Sequence, residues 1–253
     1  IERVVSIHGY SPEDSCYAER TKRLLRPFLL RFGGFVNDFS PYYWRSDEDL
    51  PLSDYEVTAR ESGLQFIAGV DEAGRGPLAG PIVAAAVMLS GPIDGVNDSK
   101  QLTEKMREVL YEAILSGGHR VGVCVIEASE IDEMGLQPAN YASMARAAEQ
   151  LEPKPEILLV DGFKISGCRF EQQKIIKGDG LSQSIATASI VAKVTRDRIM
   201  IELDARYPEY GFARHKGYGT KVHLEAINEY GPCAVHRRSF APIARVQETG
   251  SLL

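Results

Sequence analysis

The sequence predicts an α/β domain of three layers, a mixed five-stranded sheet flanked by helices. Three observations carry this. From residue 64 onward, short apolar runs of strand length are interleaved with longer stretches of helical length. The first connections are short enough for antiparallel hairpins. The later strands are separated by helices, which makes the sheet mixed.

Tyr55 to Ser62 (YEVTARES) reads as a short helix leading into the core. Phe66–Val70 reads as a buried strand and Pro81–Leu89 (PIVAAAVML) as a second. Gly91 to Lys100 is a polar loop. Thr103 to Leu115 is an amphipathic helix with Thr103 as its cap. Arg120–Ile126 (RVGVCVI) is a β-branched strand. Ser129 to Leu136 is a short helical turn, and Pro138 to Leu151 is a longer helix opened by its proline. Ile157–Val160 is an apolar strand ending at Asp161. Gln172–Ile176 is a strand ending at Lys177-Gly178-Asp179-Gly180. Ser182 to Tyr207 and Thr220 to Tyr230 are helices.

The totals bound the class. The 253 residues are 44% hydrophobic and 25% charged, enough for one sizeable core and a small appendage. Residues 1–54 form an N-terminal extension of unassigned role. They hold a basic amphipathic run, Arg20 to Arg31, interrupted by Pro27, and an acidic linker, Asp47 to Asp54. No window reaches the ~18 apolar residues of a membrane span. There is no secretory pattern, and Cys16, Cys124, Cys168 and Cys233 form no Cys-x-x-Cys pair. A reducing cytoplasm is the expected location. The net charge of -6 argues weakly against non-specific nucleic-acid binding, but allows a local basic groove.

The chemistry concentrates at strand ends. Asp71 and Glu72 follow the first apolar run and precede Gly74-Arg75-Gly76. Carboxylates there are costly to desolvate without a partner, and a hard divalent cation is the usual one. Glycines let main chain approach a ligand closely. Asp161 and Asp179 are the third and fourth acids. Alone, each of these two reads first as an ordinary Asp-Gly turn residue. Four convergent carboxylates suit one or two magnesium or manganese ions. Lys100 sits in a loop, where it is either solvated or placed at a phosphate. Ser189, Lys193, Arg196 and Asp197 share one helical stripe. That stripe is either a polar outer face with a Lys193–Asp197 pair or part of a site. The run His215-Lys216-Gly217-Tyr218-Gly219-Thr220-Lys221 places an aromatic between glycines before a helix. Its tyrosine either packs inward or stacks on a sugar or base. His236-Arg237-Arg238 adds positive charge.

These residues together resemble the bacterial ribonuclease HII family. The likeness rests on Asp71 to Pro81 (DEAGRGPLAGP), Asp98-Ser99-Lys100, Val160-Asp161-Gly162, Ala188 to Asp197 (ASIVAKVTRD) and His215 to Thr220 (HKGYGT). It covers about residues 55 to 242. The resemblance implies a ribonuclease H-like fold over 55–245. It implies endonucleolytic cleavage of RNA paired to DNA, and incision 5′ of single ribonucleotides in duplex DNA, leaving 3′-hydroxyl and 5′-phosphate ends. It makes Asp71, Glu72, Asp161 and Asp179 metal-binding acids for Mn2+ or Mg2+. Gly74, Arg75 and Gly76 become the turn that senses the 2′-hydroxyl, and Tyr218 the ring that stacks on the sugar. Lys100, Ser189 and Lys193 become phosphate-contacting or supporting positions. A monomer is expected, with RNA–DNA hybrid or ribonucleotide-containing duplex as its partner. Related type III enzymes usually carry glutamate as fourth acid; Asp179 and the intact Gly-Arg-Gly favour type II. Residues 246–253 are expected to be a disordered tail.

Two rival readings stand beside this one. Another ribonuclease H-like nuclease, such as a junction resolvase or integrase, would share carboxylates but lack the Gly-Arg-Gly and Gly-Tyr-Gly elements. A binding module without catalysis would have lost an acid, and all four candidates are present.

Overall fold

The computed structural model describes residues 54–96 and 99–249. The expectations for the basic run, for the acidic linker before Asp54, for Asp98 and for residues 250–253 lie outside the described residues.

Strands β1 (Ile67–Ala73), β2 (Ile82–Met88) and β3 (Arg120–Ile126) form an antiparallel meander. Strands β4 (Ile157–Asp161) and β5 (Glu171–Ile175) continue the sheet beyond β1 as parallel partners. The order is β3-β2-β1-β4-β5, the mixed five-stranded sheet expected. The helices are α1 (Asp54–Glu61), α2 (Glu104–Ser116), α3 (Ala128–Met134), α4 (Leu136–Glu149), α5 (Gln183–Arg206), α6 (Phe212–His215), α7 (Lys221–Tyr230) and α8 (Ala241–Thr249). Helix α5 packs on β1 and β2, and α4 packs across the other face on β2 and β3.

Strand periodicity sorts the side chains between these layers. Ala68 and Val70 join Ala84, Ala86, Met144 and Ala147 in one core. Ile67 joins Leu159, Ile175 and Ile185 in another. All seven residues of β2 are buried, as its unbroken apolar run requires. Fully burying a Val or Ile side chain contributes roughly 1.5–3 kcal/mol over leaving it exposed.

Gly69 lets α5 approach the sheet. A Cβ there would lie 2.1 Å from the Ser184 carbonyl carbon, so the first turn of α5 rests on β1 main chain. Glu56 of α1 ties down the same turn. Its carboxylate accepts hydrogen bonds from Ser182 Oγ at 2.6 Å and Ser184 N at 2.9 Å.

Several boundaries differ from the sequence reading, each for a physical reason. Strand β1 runs on through Asp71 and Glu72 because Glu72 and Ala73 still pair with Ala84 and Val83. Helix α4 begins at Leu136, and Pro138 is accommodated within its first turn, where a missing N–H costs nothing. β4 and β5 are parallel neighbours joined only by residues 162–170, with no helix between them. Gln172 straps that crossover: Ile165 N donates to its Oε1 at 2.7 Å, and its Nε2 donates to Ile165 O at 3.1 Å.

The disordered tail expected from residue 246 is corrected for 246–249, which continue α8. Ile243 and Val246, one turn apart, are buried in a cluster with Phe212 and Ile227. Among the described residues, no helix is long and apolar enough to cross a membrane.

Candidate active site

Sheet register brings the acids together. Val70 pairs with Val160 in parallel β1 and β4, so the next residues, Asp71 and Asp161, come level at the strand ends. Asp71 faces the α5 layer, where Ser189 hydrogen-bonds to it. Glu72 points to the opposite side, toward Asn140 of α4 and Arg75. Adjacent residues on a strand face opposite ways. Both still line one cavity, because it opens at the end of the sheet.

That cavity holds about 380 Å³ and is lined by Asp71, Glu72, Gly74 to Gly76, Ser99, Lys100, Asp161, Ser189, Lys193 and Tyr218, with Arg107 and Arg196. Ten of the eleven residues singled out in the sequence line it. Asp179 is the exception. It is buried in the turn Gly178–Gly180, where its carboxylate accepts from Lys100 Nζ at 2.8 Å. The same turn touches the acid group through Gly178 N, which donates to Asp161 Oδ1 at 2.7 Å. Asp179 therefore adjoins Asp161 through Gly178 and reaches the cavity's edge through Lys100, so the lysine expected at a phosphate is paired with it.

Electrostatics separate the acids from ordinary carboxylates. Burial raises Asp71 well above the usual range, and repulsion from Glu72 and Asp161 adds to it. Burial also raises Glu72, against the pull of Arg75 and with a push from Asp161. These are hard oxygen donors whose mutual repulsion a divalent cation would relieve, so the donor chemistry fits one. Among the described residues, no three His, Cys, Asp or Glu side chains converge into a ready-made ion cage.

Arg75 is committed to the protein. Its guanidinium lies 3.5 Å from Glu72 Oε1, donates to Gln137 Oε1 at 3.1 Å and stacks over Phe163. Lys193 pairs with Asp197 at 2.7 Å, as its helical spacing allowed, and still lines the cavity. Ser189 Oγ and Ser99 Oγ share a hydrogen bond of 2.8 Å.

An aromatic beside a glycine also lines the cavity. Tyr218 is 49% exposed. A Cβ added at Gly76 would lie 3.5 Å from its ring. A row of buried groups fixes the main chain of Tyr218. Cys233 N donates to His236 Nδ1 at 3.0 Å, the Nε2 atoms of His236 and His223 meet at 3.0 Å, and His223 Nδ1 meets Tyr218 O at 2.9 Å. Tyr218 O can only accept, so His223 Nδ1 carries a proton and His236 Nε2 donates to His223 Nε2. Burial lowers both rings to about 4, which keeps them neutral.

Sequence reading missed Asn140, whose amide neighbours Glu72 and whose side-chain N and O are buried without a hydrogen-bond partner among the described residues. It also missed that Arg196 and Arg237 are buried; an arginine on a polar helical stripe or in a basic run gives no sign of burial.

A family model described as Ribonuclease HII matches residues 68–243. The ribonuclease HII of Acetivibrio thermocellus is 52% identical over 193 residues, covering 76% of this chain and 75% of that protein. The ribonuclease HII of Caldicellulosiruptor bescii is 49% identical over 198 residues, covering 78% of this chain and 96% of that protein. Among solved structures, the ribonuclease H2 of Pyrococcus horikoshii OT3 superposes with a TM-score of 0.60 at 30% identity, covering 72% of this chain and 97% of that one. The acids at the ends of β1 and β4, the fold beneath them and these matches agree: the chain belongs to the ribonuclease HII family and is a ribonuclease H.

Proposed function

We propose that this endonuclease cuts the RNA strand of RNA–DNA hybrids and incises 5′ of single ribonucleotides in duplex DNA, leaving 3′-hydroxyl and 5′-phosphate ends. One observation carries the reading: a single cavity has carboxylates on one wall and the Gly76–Tyr218 gap on its rim. The first suits phosphodiester hydrolysis and the second a sugar.

Asp71, Glu72, Asp161 and Asp179 are the residues that would hold Mg2+ or Mn2+. When bound, such an ion supplies Lewis-acid activation of water and stabilises charge on the leaving oxygen. The chain's own groups do the rest. Gly178 N–H orients Asp161, Ser189 orients Asp71, and Arg75 holds Glu72 in place. Lys193 and Lys100 line the cavity paired with Asp197 and Asp179, and would meet the scissile and neighbouring phosphates by exchanging those carboxylates for them. The 2′-hydroxyl distinguishes RNA from DNA. Main chain at Gly74 to Gly76 lines the cavity and would meet it, while the ring of Tyr218 would stack on the sugar.

The test uses a labelled DNA duplex with one embedded ribonucleotide beside an all-DNA duplex, with magnesium or manganese and with chelator. A metal-dependent nick 5′ of the ribonucleotide, absent from DNA, is expected. Cleavage of continuous hybrid alone would move the assignment toward other ribonuclease H types.

A further inference from the structure

Two buried guanidinium groups lie under the turn that joins β1 to β2. Arg237 is 0% exposed and Arg196 is 1% exposed. Burying a cation is costly unless it is paired or fully hydrogen-bonded. Here, among the described residues, main-chain carbonyls take that role. Arg196 donates to Pro81 O at 2.9 Å, Lys216 O at 3.0 Å and Ala79 O at 3.2 Å. Arg237 donates to Gly80 O at 3.0 Å, Arg75 O at 2.9 Å and Gly74 O. Burial lowers them to about 10 and about 9, and Arg196 adds to the shift of Arg237. Both remain charged at neutral pH.

The consequence follows from the planar trans peptide, in which a C=O and the next N–H point opposite ways. Arg237 draws the carbonyls of Gly74 and Arg75 inward. The N–H groups of Arg75 and Gly76 therefore point away from it. Gly74, Arg75 and Gly76 line the cavity, and Arg237 lies behind them. Gly74 accepts this inverted shape because its φ is +99°, and a Cβ there would strike Arg196 at 2.1 Å.

We propose that Arg237 is a positioning residue that sets ribose selectivity, by presenting the Arg75 and Gly76 amides as donors toward the cavity. It rests on the reading that this turn meets the ribose. A planar fork can hold two adjacent carbonyls at once; a lysine ammonium cannot fix both in one orientation. The positive charge beneath also polarises those peptide units toward an incoming hydroxyl oxygen.

The experiment measures affinity for a duplex with one ribonucleotide and for the same all-DNA duplex, with chelator so that nothing is cut. Wild type is expected to favour the ribonucleotide. Arg237→Lys should lower that preference about tenfold or more, while all-DNA affinity changes little. A core variant with a matched loss of thermal stability, Leu151→Ala, should keep the preference. Retained preference in Arg237→Lys overturns the assignment and leaves the function intact. No preference in wild type removes the ribose reading itself, and this inference with it. If Arg237→Lys does not fold, amide exchange in wild type decides. Arg75 and Gly76 amides should exchange fast in the free protein and slow on the ribonucleotide duplex only. Slow exchange in the free protein would overturn the proposal.

Discussion

The two walls of the cavity bury charge in opposite ways. On one, Asp71, Glu72 and Asp161 crowd like charges together, and two of them are pushed above the ordinary carboxylate range. On the other, Arg196 lines the cavity and Arg237 lies behind the Gly74–Gly76 turn; both are buried more deeply, yet their hydrogen bonds are made by carbonyls of the protein itself. The basic wall is complete before any ligand arrives. The acidic wall is held in a state that an incoming cation would relieve. On the proposed function, recognition would be preorganised and the chemistry would await its cation.

Substitutions can break this contrast. The largest effect is expected from Asp161→Asn, which keeps the shape and removes the charge at the acidic wall. Turnover should fall at least about 10³-fold with the fold intact by circular dichroism. Retained turnover with magnesium would take Asp161 out of the chemistry. Next come two glycines, two residues apart, on the basic wall. Gly76→Ala meets nothing closer than the Tyr218 ring at 3.5 Å, so melting should be unchanged. Its methyl group narrows the sugar gap, and cleavage should drop about 10²-fold. Gly74→Ala should instead lose about 2 kcal/mol or more of stability, through its positive φ and its contact with Arg196. Equal melting temperatures for the two variants would contradict this division. Tyr218→Ala should raise KM about tenfold through lost stacking while leaving melting unchanged. A change in kcat alone would argue against stacking.

The smallest effect concerns stability and pH, with chelator present. Asp71 and Glu72 have raised values in the fold, so between the ordinary carboxylate range and those values the native state binds more protons than the unfolded one. Their contribution is present at low pH and is lost as pH rises through that window. His223 and His236 work the other way. Their stability contribution is present above about 6.5 and is lost as pH falls toward about 4. Asp71→Asn should therefore lose less melting temperature than wild type on going from acid to neutral pH. Parallel melting curves would show that Asp71 titrates as it does in the unfolded chain.

Much of this was legible in the chain. Apolar runs gave four of the five strands because buried strands cannot hide their composition; β5 (EQQKI) is polar and largely exposed, with Ile175 alone buried, and acids directly after the apolar runs of β1 and β4 fall at strand ends. Tyr218 between two glycines also showed itself. What stayed hidden was pairing across distance. Lys100 and Asp179 are 79 positions apart, and Arg237 and Gly74 are 163 apart. Nothing local in His236-Arg237-Arg238 separates a buried clamp from a solvated basic patch. Helix α8 was missed because its apolar positions make sense only against Phe212 and Ile227.

The histidine row behind Tyr218 ties two positions into one unit of inheritance. Each ring has one proton and one lone pair, and both are used. Changing His223 or His236 alone to an apolar residue strands a buried polar atom of its neighbour. Changing both removes the mismatch, so the double substitution should harm stability less than the sum of the two single ones. Across descendants of this chain, the two rings are expected to persist together or to leave together.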